Sequence, residues 1–377
     1  MDNSTTPPVG STPQPPPVAP PPVIQPPPPP PRPSGRGWRM LALAVLVVAV
    51  LGGGLFLLGL FSLAHLEVPG SPAAGPRLQE VLFEDNDAPF KIAVIEVEGL
   101  ISSYLTDPAG YDMTDVIKAQ LKRAAEDSDV KAVLLKIDSP GGEVLASDEI
   151  NKAIARFQKE SGKPVIASMG NLAASGGYYV AVASRWIVAN ELTLTGSIGV
   201  IMSAWNYRGL MDKVGIRPYT YKSGRFKDML SGSRDPAEIP PEEREMIQAL
   251  VDEVYRQFKS VVAEGRQEAA RRNAGAGQTL SEDWEQYADG RVLSGTEAFR
   301  LGFVDELGNF TVAKQRALKL AGIPAANLVC YQQRIDLADL FRFLGESRQQ
   351  GVKVNLGFEW PKLNAGQLYF LPPTYVH

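Results

Sequence analysis

Two periodicities alternate through the middle of this chain. "KIAVIEVEG" (91–99) is a β-rich apolar run that stops at a glycine. "DMTDVIKAQLKRAAEDSD" (112–129) then sets its apolar residues three and four apart, the period of a helix with one buried face. "KAVLLKIDSPGG" (131–142) predicts a second buried strand ending in a glycine turn, and "SDEINKAIARFQKES" (147–161) a second helix with Ser147 as its cap. "KPVIASMG" (163–170) is a third strand, and "RWIVAN" (185–190) and "GSIGVIMS" (196–203) continue the series. Strand and helix in alternation imply parallel strands joined by crossover helices, hence an α/β fold. Residues 240–272 predict one long helix with proline at its start, whose stripe of Met246, Ile247, Leu250, Val251, Val254, Phe258 and Val261 reads as an internal packing face. "EAFRLGFVDELG" (297–308) reads as a short helix, a glycine stop and a strand. No segment is repeated, so residues 91–330 form one domain, followed by a C-terminal extension over 331–377.

The first quarter of the chain has a different texture. Residues 1–39 are dominated by proline, which fixes φ and removes a backbone donor, so this tail is expected to be extended, solvated and without a core. From Leu41 to Ala64 no residue is charged, and about 20 apolar residues suffice to cross a bilayer. A transmembrane helix is therefore expected over 40–66, followed by a linker over 67–90. Arg32, Arg36 and Arg39 precede the apolar run, whereas Glu67, Glu80, Glu84, Asp85 and Asp87 follow it. The positive-inside rule then puts the proline tail in the cytoplasm and the folded domain outside, on a single-pass anchor in the cell membrane.

Composition narrows the chemistry. A net charge of −4 argues against nucleic acid as the main partner, and the single cysteine, Cys330, excludes an internal disulfide framework. The two histidines, His65 and His377, lie far from any candidate nucleophile, which argues against a Ser-His-Asp triad and a His-rich metal centre. The stretch "NLAASGGYYVA" (171–181) nevertheless looks built around a hydroxyl. Small residues surround Ser175, and Gly176-Gly177 permits backbone that a Cβ would forbid, as in a strand-to-helix elbow. "DSPGG" (138–142) ends the neighbouring strand, and ligand sites in open α/β sheets form at the carboxyl ends of strands. The amides of Gly141 and Gly142 are thus candidates for holding a developing oxyanion. With histidine unavailable, a lysine is the remaining base, provided burial lowers its pKa from about 10.4. "YKSGRFKDMLSGSRDP" (221–236) offers Lys222 and Lys227, between which the residues alone do not choose.

Taken in order, "DSPGG", "MGNLAASGGYY", "TGSIGV", "KSGRFKDMLS", "DGRVLSG" and "GFVDELG" resemble the short form of bacterial signal peptide peptidase A over residues 90–310. The resemblance implies a Clp protease/crotonase-like fold and a Ser/Lys dyad in a membrane-anchored, ring-shaped homo-oligomer that cleaves remnant signal peptides. By position it makes Ser175 the nucleophile, Lys227 the base, Ser197 the hydroxyl that holds the lysine ammonium, and Gly142 the oxyanion donor. Glu143 stands where members often have a third glycine. No cofactor or metal is implied, and the expected partners are peptides, lipid and further copies of the chain. Lysine as base implies an alkaline optimum. Two other readings are an inactive membrane scaffold and a crotonase-type thioester enzyme; reaction of Ser175 with a fluorophosphonate separates the dyad from both.

Overall fold

The computed structural model describes residues 43, 45, 46, 75–104, 107, 110–333 and 368–370. The proline tail, most of the apolar run and most of the C-terminal extension lie outside the described residues. Leu43, Val45 and Leu46 are helical, and among the described residues no helix is long and apolar enough to cross a membrane. The rest of the description concerns the unit that begins at Pro72.

Its spine is a mixed sheet built on four parallel strands: β2 (Lys91–Ile101), β3 (Val130–Glu143), β4 (Val165–Ala174) and β5 (Trp186–Ala189). Their apolar residues run on without alternation because both faces are covered. Ala93, Ile95 and Val97 point into one core, where they meet Ile117 and Leu121 of α1 (Met113–Glu126) and Ile150, Ile154 and Phe157 of α2 (Val144–Ser161). Ile92 and Val94, one residue out of phase, point into the other.

Each helix has a local reason. The Asp112 side chain accepts from the Asp115 amide at the start of α1, and Ile117, Leu121 and Ala124 follow at helical spacing. α2 stops at Gly162, whose φ of 72° closes the helix in the left-handed region. The expected cap at Ser147 is not one: α2 starts three residues earlier, and Ser147 is a fully buried residue of its first turns.

The C-terminal part of the domain closes the sheet. α3 (Gly176–Ala181) follows β4 directly; β6 (Leu194–Gly196) continues beside the end of β4, and β7 (Ile201–Met202) comes soon after. After α4 (Arg208–Lys213) comes the long helix α5 (Pro241–Arg272), and β8 (Val292–Ser294) then pairs antiparallel with β6. The short α6 (Gly295–Arg300) leads to β9 (Glu306–Leu307), which pairs parallel with β5. α7 (Phe310–Ala321) sets Ala313 and Ala317 on the second core. β10 (Asn327–Gln333) then returns parallel to β2.

The stripe of α5 divides in two. Phe258 is fully buried and Val254 and Val261 pack beside it, but Met246 and Leu250 are exposed. At the C-terminal half, Arg266 is buried with Asp305, to which it donates two hydrogen bonds, and it donates a third to the carbonyl of Gly302. A buried charge stays only where such partners replace water.

One strand lies inside the stretch expected to be a linker. β1 (Leu78–Glu84) pairs antiparallel with β10 and caps the sheet edge. Its sequence hides it, because Leu82 and Phe83 are both about half exposed and the inside–outside alternation is broken.

Candidate active site

The site grows from the point where β4 ends. Ser175 has φ 55° and ψ −117°, a conformation that strains a residue with a Cβ by an order of 1–3 kcal/mol. Neighbouring bonds hold it there. Its amide donates to the Gly196 carbonyl at 2.8 Å, and its carbonyl accepts from the Tyr179 amide at 2.8 Å. Ser197, next to that accepting carbonyl, has φ 51° and is also buried. The two serines are thus one backbone hydrogen bond and one residue apart, both in the left-handed region.

The glycine turn of β3 packs against this elbow. A Cβ on Gly176 would lie 2.6 Å from Ser147 Oγ and 3.0 Å from both Gly141 Cα and the Gly142 nitrogen, so only glycine admits this approach. The turn itself is pinned: Ser139 Oγ donates to the Gly99 carbonyl at 2.6 Å and accepts from the Gly141 amide at 3.0 Å. Gly141's donor is therefore engaged by its own turn, and Gly142 is the amide that borders the elbow. Gly142 has no room for a side chain either, since a Cβ there would sit 1.9 Å from the Ile101 carbonyl oxygen.

Glu143 is not part of the elbow's polar lining. Its buried carboxylate accepts from Ser102 Oγ at 2.6 Å, Ser103 Oγ at 2.6 Å and the Ser103 amide at 3.1 Å. It therefore clamps the end of β2 to the end of β3, just beyond the turn.

Within this packing, Ser175 Oγ and Ser147 Oγ are both buried and without a hydrogen-bond partner. Buried polar atoms are nearly always paired, so two orphans flanking one glycine mark a place prepared for something else. Ser147 is the residue that periodicity misassigned; its helical position in a buried turn is invisible without β3 beside it. The two phenols of the elbow are already engaged, Tyr178 donating to the Phe303 carbonyl and Tyr179 to Asp148. Burial pushes both phenols well above their ordinary range, with the charge of Asp148 adding to it at Tyr179, so neither is a base.

Neither candidate lysine is hydrogen-bonded to Ser175 in the single chain. Lys222 is bound to Asp228 at 2.6 Å and to the Arg225 carbonyl at 3.2 Å. That bond holds the Asp228 carboxyl below its ordinary value, with Arg234 adding to the effect. Lys227 is exposed, and no hydrogen bond joins it to Ser175, whose Oγ has no partner. Both lysines belong to a segment that carries exposed apolar side chains, among them Trp205, Leu210, Ile216 and Tyr219. The structure thus sets Ser175 beside Gly142 and Ser197 and makes no hydrogen bond between Ser175 and Lys227.

Residues 157–324 match the profile of Peptidase family S49. A Synechocystis sp. protein carrying a protease name is 40% identical over 271 residues, which span 71% of this chain and 88% of that one. The chain belongs to peptidase family S49. An Enterococcus faecium protein named as a signal peptide peptidase SppA is 40% identical over 236 residues, 62% of this chain and 64% of that one. A ClpP1 variant from Listeria monocytogenes is similar at 17% identity with a TM-score of 0.36, covering 58% of this chain and 93% of that chain. As an S49 member the chain is a serine protease, and the S49 match runs through the elbow, β6 and the lysine segment.

Proposed function

We propose that this chain is a membrane-anchored serine endopeptidase in which Ser175 is the nucleophile and Lys227 the general base. The observation that carries the reading is the elbow: a strained serine with a buried, unpartnered hydroxyl, set against the Gly142 amide. Neutral Lys227 takes the Ser175 proton as Oγ attacks a peptide carbonyl, and Gly142 donates to the oxygen that becomes negative. The lysine ammonium then protonates the leaving amine, and water hydrolyses the acyl ester in a second round. Ser197, fixed beside Ser175 through the Gly196 carbonyl, holds the ammonium in place. Lys227 rather than Lys222 is favoured because Lys222 is committed to Asp228.

Lys227 joins the site on self-assembly. In the single chain its segment is exposed and apolar, and a homo-oligomer would cover that surface while bringing a lysine to a buried hydroxyl. The apolar run over 40–66, with arginines before it and acids after it, supports an anchor in the cell membrane with the catalytic domain outside. On that footing the substrates are extended peptides left at the membrane, signal-peptide remnants first among them, a reading that also takes up the Enterococcus relative's name. The test is reaction of the membrane-bound chain with a fluorophosphonate, together with cleavage of a signal-peptide mimic beside a folded control protein. Labelling at Ser175 and cleavage of the mimic alone are expected; an unlabelled, inactive chain would make it a scaffold.

A further inference from the structure

A separate cleft of about 200 Å³ lies at the end of α3 remote from Ser175. Its floor is Ala183-Ser184-Arg185, and its walls come from α2 and α5. The floor is pinned from α2: Asn151 donates to the Tyr179 carbonyl at 2.7 Å and Gln158 to the Ala183 carbonyl at 2.7 Å. α5 comes close because Gly265 has no side chain; a Cβ there would lie 2.6 Å from the Val182 carbonyl oxygen. In this floor the Ser184 hydroxyl is buried and has no hydrogen-bond partner. A hydroxyl left in that state costs stability until a ligand completes it.

The charges of the cleft are sorted along α5. At the C-terminal end Arg272 stands beside Arg185, whose Nε donates to Asn273 and whose Nη2 donates to the Arg272 carbonyl. The Nη1 of Arg185 makes no hydrogen bond among the described residues. Burial holds the Arg185 guanidinium below its ordinary value and the charge of Arg272 adds to this, so an anion beside them relieves both. Glu268 is not that anion, being bound to Arg271 and Arg272. About 12 Å back along the helix, at 1.5 Å per residue, Glu264 stands exposed. One of its oxygens accepts from Ser260, and the other makes no hydrogen bond among the described residues. The apolar lining is small, with Ala155, Val261 and Ala269. We propose that this cleft binds a free peptide of two or three small residues, its carboxylate on Arg185 and Ser184 and its ammonium on Glu264. Extended, such a peptide reaches about 7–10 Å, which the side chains at either end complete. Serine-protease chemistry supplies the ligand: each hydrolysis leaves a carboxylate on one fragment and an amine on the other, so a fragment cut at both ends carries both. The inference goes beyond the reading of Ser175 as nucleophile and does not depend on it.

Trialanine tests this on the full chain carrying Ser175→Ala, beside N-acetyl-trialanine and trialanine amide, each of which lacks one terminal charge. Hydrogen exchange over 183–185 should slow saturably with trialanine. Each blocked peptide should bind at least about tenfold more weakly, since each loses a charge-assisted hydrogen bond. Glu264→Gln, at an exposed position, should erase the preference for the free amine and keep that for the free carboxylate. Ser184→Ala should weaken trialanine roughly tenfold without lowering the melting temperature of the unliganded chain, because it removes an unpaired buried hydroxyl. A Ser184→Ala chain that melts earlier yet binds trialanine normally would make the hydroxyl structural and overturn the inference. Equal binding of the three peptides, protection confined to the elbow, or no protection at all would overturn it as well.

Discussion

The amide of Ser175 donates to the carbonyl of Gly196, and the next residue along is Ser197. Through that bond the proposed nucleophile and the hydroxyl proposed to steady its base share one rigid piece of backbone. A displacement of either serine would be felt by the other through that bond.

The dyad itself is tested by three substitutions. Ser175→Ala and Lys227→Ala should each lower kcat by at least about a thousandfold with melting temperature unchanged, because the two groups act as a unit. Lys222→Ala should leave most of kcat. An inactive Lys222→Ala with an active Lys227→Ala would reverse the assignment of the base.

Glu143→Ala should act through the turn. It strips Ser102 and Ser103 of their shared acceptor in a buried setting, at about 1–3 kcal/mol of stability. With the clamp on Ser102 and Ser103 gone, the turn that carries the Gly142 amide is held less firmly, so kcat should fall while KM changes less. Glu143→Gln, which keeps one acceptor oxygen, should recover part of both losses; a variant as poor as alanine would point to a role for the charge itself.

Gly176→Ala should damage catalysis more than folding. The new Cβ would press on Ser147 Oγ and on the backbone of Gly141 and Gly142. Adding Ser147→Gly relieves the first contact and leaves the second, so the double variant should regain stability without regaining kcat. Thermal melts beside steady-state kinetics separate the two.

Asp228 sets an acid limit on the lysine segment. Its carboxyl is held below its ordinary value chiefly by Lys222, so the ordering it provides is fully present above the ordinary carboxylate range. That ordering is lost as pH falls through the depressed folded-state value. Hydrogen exchange over 221–234 should therefore quicken in acid, and Asp228→Asn should show the quick exchange at neutral pH as well. Identical exchange in the two chains at neutral pH would remove Asp228 from this role.

How much of this was legible in the sequence follows from what each feature depends on. β2, β3 and β4 announce themselves because strands covered on both faces must be apolar throughout. Ser175 stands out for a related reason: tight packing against a glycine turn admits only small residues, and small residues can be read. β1 was hidden because an edge strand's stability lies in its backbone pairing with β10, about 250 residues away, and leaves Leu82 and Phe83 outside. Ser147 looked like a cap because a serine before a helical run usually is one. The division of α5 and the exposure of Lys227 depend on what the chain packs against, which periodicity does not report. The short strand at Leu368–Phe370 gave no signal, since three residues are too few for a period.

β1 also decides where this protein can be cut. It lies outside the span that matches the S49 profile, and a fragment begun at residue 91 would retain every motif of the family. Such a fragment would still bare one full side of β10, with its amides and carbonyls facing water. An uncovered flat edge recruits other edges. The fragment would then gather into stacks unrelated to any assembly of the whole chain, whereas one begun at Pro76 keeps β10 paired on both sides and leaves only the bulged β1 at the border.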